Sequence, residues 1–274
     1  MGLESMLAQA ASGDEITILP GWGQGRATFG GALAALMFQH AQARLMQGAP
    51  GDGSKAELPV RSLTISFVAP VAPGVVTLAS TVLRRGKSVL QMETRMLQNG
   101  EVVAAMLASF GAARNSVIVV TAPTAPPIAA PDSGLPLPYI PGVVPEFTQH
   151  LDFRIVHGGI PFTGQATSDI DGWMRFRELD VTCDVPHLLA LVDAWPPAIL
   201  QMVKGFAPAS TLCWTIEFPN PQLAQGLAGR TADWWQYIAR TEAADDGYGH
   251  IAAHCWNSRG ELVAISRQTV TVFA

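Results

Sequence analysis

The sequence predicts an α+β fold of two tandem repeats, each a long helix laid on an antiparallel sheet. Three observations predict it. In the first half one amphipathic helical stretch precedes four strand-like runs, and in the second half the same order returns. Short echoes link the halves: LTISF (63–67) resembles WTIEF (214–218), and NGEVVA (99–104) resembles RGELVA (259–264), each in matching order. Between the halves lies a stretch too rich in proline for a helix or central strand.

In order, a short apolar segment at 16–19 leads to Gly21, Gly23 and Gly25. Their spacing is not G-x-G-x-x-G and no strand–helix–strand unit surrounds them, so they predict a turn. A helix begins near Gly30 and Gly31 and carries Leu33, Leu36, Met37, Ala41 and Leu45 on one face. Its paired glycines let another backbone or a ligand come close. Strand-like runs at 60–69, 75–84, 88–98 and 101–113 are parted by Pro73-Gly74, Arg85-Gly86 and Asn99-Gly100. Residues 122–145 predict an extended linker, which divides the chain into an N-terminal domain (1–121) and a C-terminal domain (146–274). The second repeat has runs near 147–155 and 172–177, a helical stretch at 183–205, then runs near 210–218, 234–241, 249–256 and 262–273.

Composition excludes several function classes. A net charge of -5 without a basic stripe argues against nucleic-acid binding. The longest apolar stretch, 29–46, is broken by Gln39, His40, Gln42 and Arg44, so no membrane span is predicted. The opening MGLESMLAQAASGDE lacks a basic n-region and a long apolar core. Cys183, Cys213 and Cys255 are odd in number and widely spaced, which predicts a reducing cytoplasm and no disulfide frame. His250, His254 and Cys255 do not make a metal site, because in a strand the two histidines stand about 13 Å apart. No metal or cofactor is predicted. Hydrophobic residues at 49% against 14% charged predict a surface partly covered by another copy or domain, hence a homo-oligomer.

Chemistry is expected in the second repeat. The stretch CDVPHLLALVDAWPPAILQMVKG (183–205) holds one acid in its middle, Asp193, costly to bury without a partner or a task. Pro196 and Pro197 cannot donate to the carbonyls of Val192 and Asp193, so the helix must kink or restart at Asp193. The carboxylate is then either an N-cap or a buried general base or nucleophile. Sliding one repeat on the other sets Gln268 against Ala108, Thr211 against Val60, and Asp193 near Phe38. Three polar residues of the second copy thus stand where the first is apolar. By the period of two, Gln268 shares a face with Leu262, Ala264, Ser266, Val270 and Val272, and Thr211 shares one with Cys213, Thr215 and Glu217. A Gln bonded to backbone or water at the sheet margin, and a Thr present for its β-branched shape, are the ordinary alternatives.

The order of FGGALAA (29–35), the RRGKS turn (84–88), NGEVVAAMLASF, LVDAWPPAIL, STLCWTIEF and LVAISRQTVTVF resembles the double-hotdog acyl-CoA thioesterases of the thioesterase II type, over nearly the whole chain apart from the linker. The resemblance implies a double hotdog that hydrolyses an acyl-CoA to free acid and CoA in lipid metabolism. It also implies an Asp, a hydroxyl residue and a Gln jointly holding the attacking water, at positions Asp193, Thr211 and Gln268. Two departures stand out: Leu212-Cys213 occurs where relatives often have Asp-His, and the prolines after Asp193 are doubled. Gly30 and Gly31 are candidate oxyanion amides across the domain interface. Arg84, Arg85 and Lys87 are candidates for the CoA phosphates or else a solvated hairpin charge run. Two alternatives stay open: a double hotdog that binds acyl-CoA without turnover, and a hotdog hydratase or dehydratase. The latter pairs an acid with a close His, and His187 lies six residues before Asp193 on another face. No G-x-S-x-G supports serine-hydrolase chemistry, and Cys183 with His187 predicts a buried thiol beside a helix entry rather than a catalytic pair.

Overall fold

The computed structural model describes residues 2–47 and 58–274. Its centre is a seam between two strands, Val60–Phe67 and Ala209–Glu217, the same two whose sequences echo each other. They run antiparallel, with Leu63 opposite Ile216, Thr64 opposite Thr215 and Ile65 opposite Trp214. A local twofold axis therefore passes between Thr64 and Thr215. Outward from Val60–Phe67 lie Glu101–Gly111, Val89–Gln98, Gly74–Arg85 and Glu15–Ile18. Outward from Ala209–Glu217 lie Leu262–Val272, Tyr248–Trp256, Trp235–Asp245, Ile170–Phe176, Leu151–His157 and Leu135–Pro136, making one sheet of 12 strands.

The register repeats with the sequence. Leu63 faces Ala108 in one half and its echo Trp214 faces Gln268 in the other. Even the interruptions match: pairing skips Arg61 between Val60 and Ser62, and skips Leu212 between Thr211 and Cys213. Each bulge adds one residue to its strand and turns the residue before it to the other face.

Each half lays its main helix on the sheet. Gly30–Gln47 buries a nearly continuous run from Gly31 to Phe38. Its partner is shorter than the 183–205 stretch predicted: Val185–Val192 ends where the missing proline amides leave carbonyls without helical partners. Asp193 is its C-cap in the right-handed region (φ −80°, ψ −8°), not an N-cap, and the restart comes later, as a 3-10 turn at Ala198–Met202 behind Pro197. The helices touch where side chains are smallest, since a Cβ on Gly31 would stand 3.0 Å from Ala190 Cα. That contact brings the end of one helix to the start of the other.

A third helix, Gly2–Ser12, was missed in the sequence although Leu3, Met6, Leu7 and Ala10 form its buried stripe at helical spacing. It is fastened to the second repeat by His187, whose Nε2 lies 2.7 Å from Glu4 Oε1 and whose Nδ1 lies 2.5 Å from Asp184 Oδ1. Burial disfavours the imidazolium, but the bonds and charges of Asp184 and Glu4 outweigh it and hold the pKa above the ordinary histidine value. The clasp therefore contributes stability below about pH 6.5 and loses it as pH rises through the raised pKa. Glu4→Gln should cost roughly 0.5–1 kcal/mol at pH 6, a figure reduced for the exposure of both carboxylates, and almost nothing at pH 9. Thermal unfolding at both pH values checks this; an equal loss at each would mean the clasp is not ionic.

The proline-rich segment docks rather than dangles. Trp256, Gln236 and Trp173 donate side-chain hydrogen bonds to the carbonyls of Pro123, Pro126 and Ala129, and Ala125 and Ile128 pack on Ile238, Trp256 and Leu262. Those side chains lie on the face away from the helices. Leu135–Pro136 then adds an edge strand, where a proline without an amide hydrogen is tolerated. Among the described residues no helix is long and apolar enough to cross a membrane.

Candidate active site

Asp193 sits at the end of the second-repeat helix, facing the first turn of Gly30–Gln47. Its Oδ1 accepts from Gln268 Nε2 at 2.6 Å, and its carboxylate also accepts from the Gly31 amide. A Cβ on Gly30 would lie 2.8 Å from Asp193 Oδ2 and 3.1 Å from Phe67 Cζ, so the acid occupies the space a side chain would have taken. Asp193 keeps a partly accessible surface although apolar residues surround it. Burial pushes its pKa up to about 7, against the opposing bonds from Gln268 and Gly31. Its position at the negative end of its own helix works in the same direction, and the positive end of the facing helix works against it. The result is a carboxyl that changes charge near neutrality, which suits proton transfer.

Gln268 lies on the core face of Leu262–Val272, between the buried Ser266 and Val270, as the period of two predicts; Leu262, expected on that face, is instead turned to the other one, with Trp256, by the register shift that skips Val263. The Gln268 amide is spent on Asp193 rather than on backbone or margin water. For Thr211 the simple alternation fails. The bulge at Leu212 sets Thr211 opposite Val270, and therefore on the Gln268 face rather than with Cys213, Thr215 and Glu217. It comes one pair along from Gln268, partly exposed, and its hydroxyl has no hydrogen-bond partner among the described residues. Asp193 and Gln268 are thus in contact, with Thr211 beside them on the same wall.

Three neighbours were not foreseen. Phe67 reaches from the first repeat over Gly30, while its echo Phe218 is fully buried; nothing in two identical Phe letters separates them. Trp195 stacks on Tyr237 at 5.4 Å and 5°, above Gly172, where any side chain would collide with the indole. The Tyr237 phenol is pushed up by burial and then by the charge of Asp193, which places it in electrostatic range of the acid. The first repeat has no such group: Phe38, Val60 and Ala108 are buried, and Phe38 stacks 6.1 Å from Phe110.

The RRGKS turn is elsewhere. Val89 pairs with Gly111 beside the Val60–Phe110 pair, so Arg84, Arg85 and Lys87 lie at the Val60 end of the seam. Thr211 and Phe67 lie at the other end. Strand rise and spacing put the turn roughly 25 Å from Gln268. Within one chain these three cations thus stand apart from Asp193, Gln268 and Thr211. Cys183 is buried with its thiol pushed up by burial, and His187 is taken by Glu4 and Asp184, so the two do not form a catalytic pair. Among the described residues no group of three His, Cys, Asp or Glu side chains could hold a metal ion.

Residues 124–272 match the family model of the acyl-CoA thioesterase C-terminal domain, and residues 18–111 match that of the N-terminal domain. No curated protein matches the sequence. In structure the chain is similar to a hot dog fold protein of unknown function from Alicyclobacillus acidocaldarius, at TM-score 0.83 and 22% identity over 100% of this chain and 98% of that one. It is also similar to an acyl-CoA thioesterase II from Mycobacterium marinum, at TM-score 0.70 and 22% identity over 95% and 93%. At these identities the likenesses establish the double-hotdog fold, while the family models match both halves of the chain.

Proposed function

The chain belongs to the acyl-CoA thioesterase family, and on that premise we propose that it hydrolyses an acyl-CoA thioester to free acid and CoA, with Asp193 as general base. The observation that carries the reading is the 2.6 Å contact between Gln268 and an acid pushed up to about 7. In this reading Asp193 takes a proton from water as that water adds to the thioester carbonyl. The C–S bond then breaks, and the proton passes to the departing thiolate. A thiolate leaves readily, so one base and an oxyanion site suffice without a covalent intermediate. Gln268 orients the carboxylate through its amide N–H, and its carbonyl oxygen remains to accept from the water, together with the Thr211 hydroxyl. Because the Gly31 amide already serves Asp193, the Gly30 amide is the one left to meet the developing oxyanion at the helix start.

A base must be ionised to act. kcat/KM should therefore rise about tenfold per pH unit below pH 7 and level off above it. Gln268→Leu should move the inflection upward, since the lost N–H bond favoured the carboxylate. Thiol release from an acyl-CoA, followed from pH 5 to 9, measures both; a profile flat across pH 7 would remove Asp193 from the role. The same assay separates turnover from acyl-CoA binding alone.

A further inference from the structure

The register that sets Gln268 against Ala108 extends across both halves of the sheet and isolates a fourth polar residue of the second repeat. Ala264 then matches Ala104, and its neighbour Cys255 matches Met96. One strand further out, Tyr237 stands where the first repeat has the buried Leu78. The row between Gln268 and Tyr237 on the core face, Ser266, Ala253 and Ala239, answers to Met106, Thr94 and Ser80. The first repeat fills that row with the Met106 side chain and with His40, which reaches from the helix to within 2.7 Å of Ser80 Oγ. The second repeat has nothing larger than a serine there.

Tyr237 is held rigidly. Trp195, two residues past the acid, stacks on its ring, and the indole is fixed in turn by Phe153, edge-on at 5.4 Å, and by its own N–H on Met174 Sδ at 3.0 Å. Although Tyr237 is only 7% exposed, its hydroxyl makes no hydrogen bond among the described residues. No side-chain nitrogen or oxygen sealed from solvent lacks a partner among those residues, so this oxygen opens on space that a small molecule can enter. Burial and then the charge of Asp193 keep the phenol protonated, which leaves it a proton to donate. The arginines of the flanking strands, Arg154, Arg175, Arg240 and Arg267, alternate to the opposite face. They cannot accompany an anion into this space, and the ionised Asp193 would repel one. We propose that the Tyr237 hydroxyl donates a hydrogen bond to a neutral oxygen, hydroxyl or keto, on the substrate's acyl chain, and so selects acyl-CoAs oxygenated beyond the thioester carbonyl. This selectivity rests on the thioesterase reading and adds a substrate class to it. A plain chain would strip solvent from the phenol and leave it unpaired, which is the costlier kind of mismatch.

The test compares thiol release from acyl-CoAs of equal chain length, unsubstituted or carrying a hydroxyl or keto group at successive carbons from the third outward. At least one oxygenated member should exceed its plain match about tenfold in kcat/KM. Tyr237→Phe, which removes only an unbonded oxygen, should lower that ratio about tenfold. In this comparison the intrinsic reactivities of the two thioesters and any partial loss of folded protein both cancel. The plain substrate should gain rather than lose in Tyr237→Phe, because no hydroxyl is then left unpaired. A parent that prefers no oxygenated chain, a preference that survives in Tyr237→Phe, or an equal fall for both substrates would each overturn the proposal. Titration calorimetry of Asp193→Asn with the same panel reads the preference as affinity, without turnover. A preference in affinity with no thiol released by the parent would sink the hydrolysis reading and keep the Tyr237 contact, whereas turnover without preference would do the reverse.

Discussion

Asp193→Asn should abolish most turnover and stabilise the protein in the same step. The expected loss in kcat is roughly 10²- to 10⁴-fold, the usual contribution of a positioned base. The stabilisation follows from the cost of burying a carboxylate. Burial raises the folded-state pKa to about 7, whereas an unfolded Asp titrates near 4. Below pH 4 both states hold the proton and nothing is lost. As pH climbs from 4 to 7 the unfolded chain gives the proton up first, and the folded state falls behind by about 4 kcal/mol once pH 7 is passed. Asn carries no charge and keeps an acceptor for Gln268, though it offers a poorer partner to the Gly31 amide. A net gain of about 2 kcal/mol at pH 8, shrinking toward zero at pH 4, is therefore expected. Thermal unfolding at the two pH values, beside thiol release at pH 8, tests both halves. Unchanged turnover would end Asp193's candidacy as base, and a variant no more stable at pH 8 than at pH 4 would mean that burial is not what raises its pKa.

Much of the fold was legible because duplication wrote it twice. The echo between 63–67 and 214–218 marked the two strands that meet at the seam, and the slide of Gln268 onto Ala108 survives in the register, where their partners are Trp214 and Leu63. The face of Gln268 followed from alternation alone. That of Thr211 did not, because a bulge is a choice of pairing between strands distant in sequence and leaves no mark in the local pattern. Asp193 was found by its oddity among apolar neighbours, but its capping role was inverted: the double proline ends the helix behind it instead of starting one. The glycines at the facing helix start were read as room for a close approach, and what approaches is Asp193 itself. The RRGKS turn was read as a CoA-phosphate contact or else a solvated charge run, and its place at the Val60 end of the sheet was not legible, since charge in a hairpin states nothing about which end of a sheet the hairpin closes. Phe67 could not be singled out, as only tertiary packing distinguishes it from Phe218.

Gly30 and Gly31 are adjacent, yet alanine should affect them in different ways. At Gly31 the added methyl would meet Phe29 Cζ at 2.5 Å and Ala190 Cα at 3.0 Å. The phenyl ring is held by stacking on Phe147 at 4.0 Å, and the Ala190 contact is backbone, so neither can yield without parting the two helices. Overpacking of this kind costs about 1–3 kcal/mol, and Gly31→Ala should lower the melting temperature clearly while moving Asp193 as a consequence. At Gly30 the methyl would meet side chains only, Asp193 Oδ2 at 2.8 Å and Phe67 at 3.1 Å and 3.3 Å. A partly exposed ring and a carboxylate can swing aside, so the fold should survive with a loss under about 1 kcal/mol. The carboxylate, however, can move only by giving up its 2.6 Å bond to Gln268. Misplacing a reacting group by about 1 Å is enough to cost on the order of 10²-fold in rate, so Gly30→Ala should be a folded protein with kcat/KM reduced by that amount. Paired measurements of melting temperature and thiol release decide the matter. A Gly30→Ala protein of full activity would mean the acid is not held in that corner during turnover, and a Gly31→Ala protein as stable as its parent would mean the helices cross more loosely than their contact at Ala190 implies.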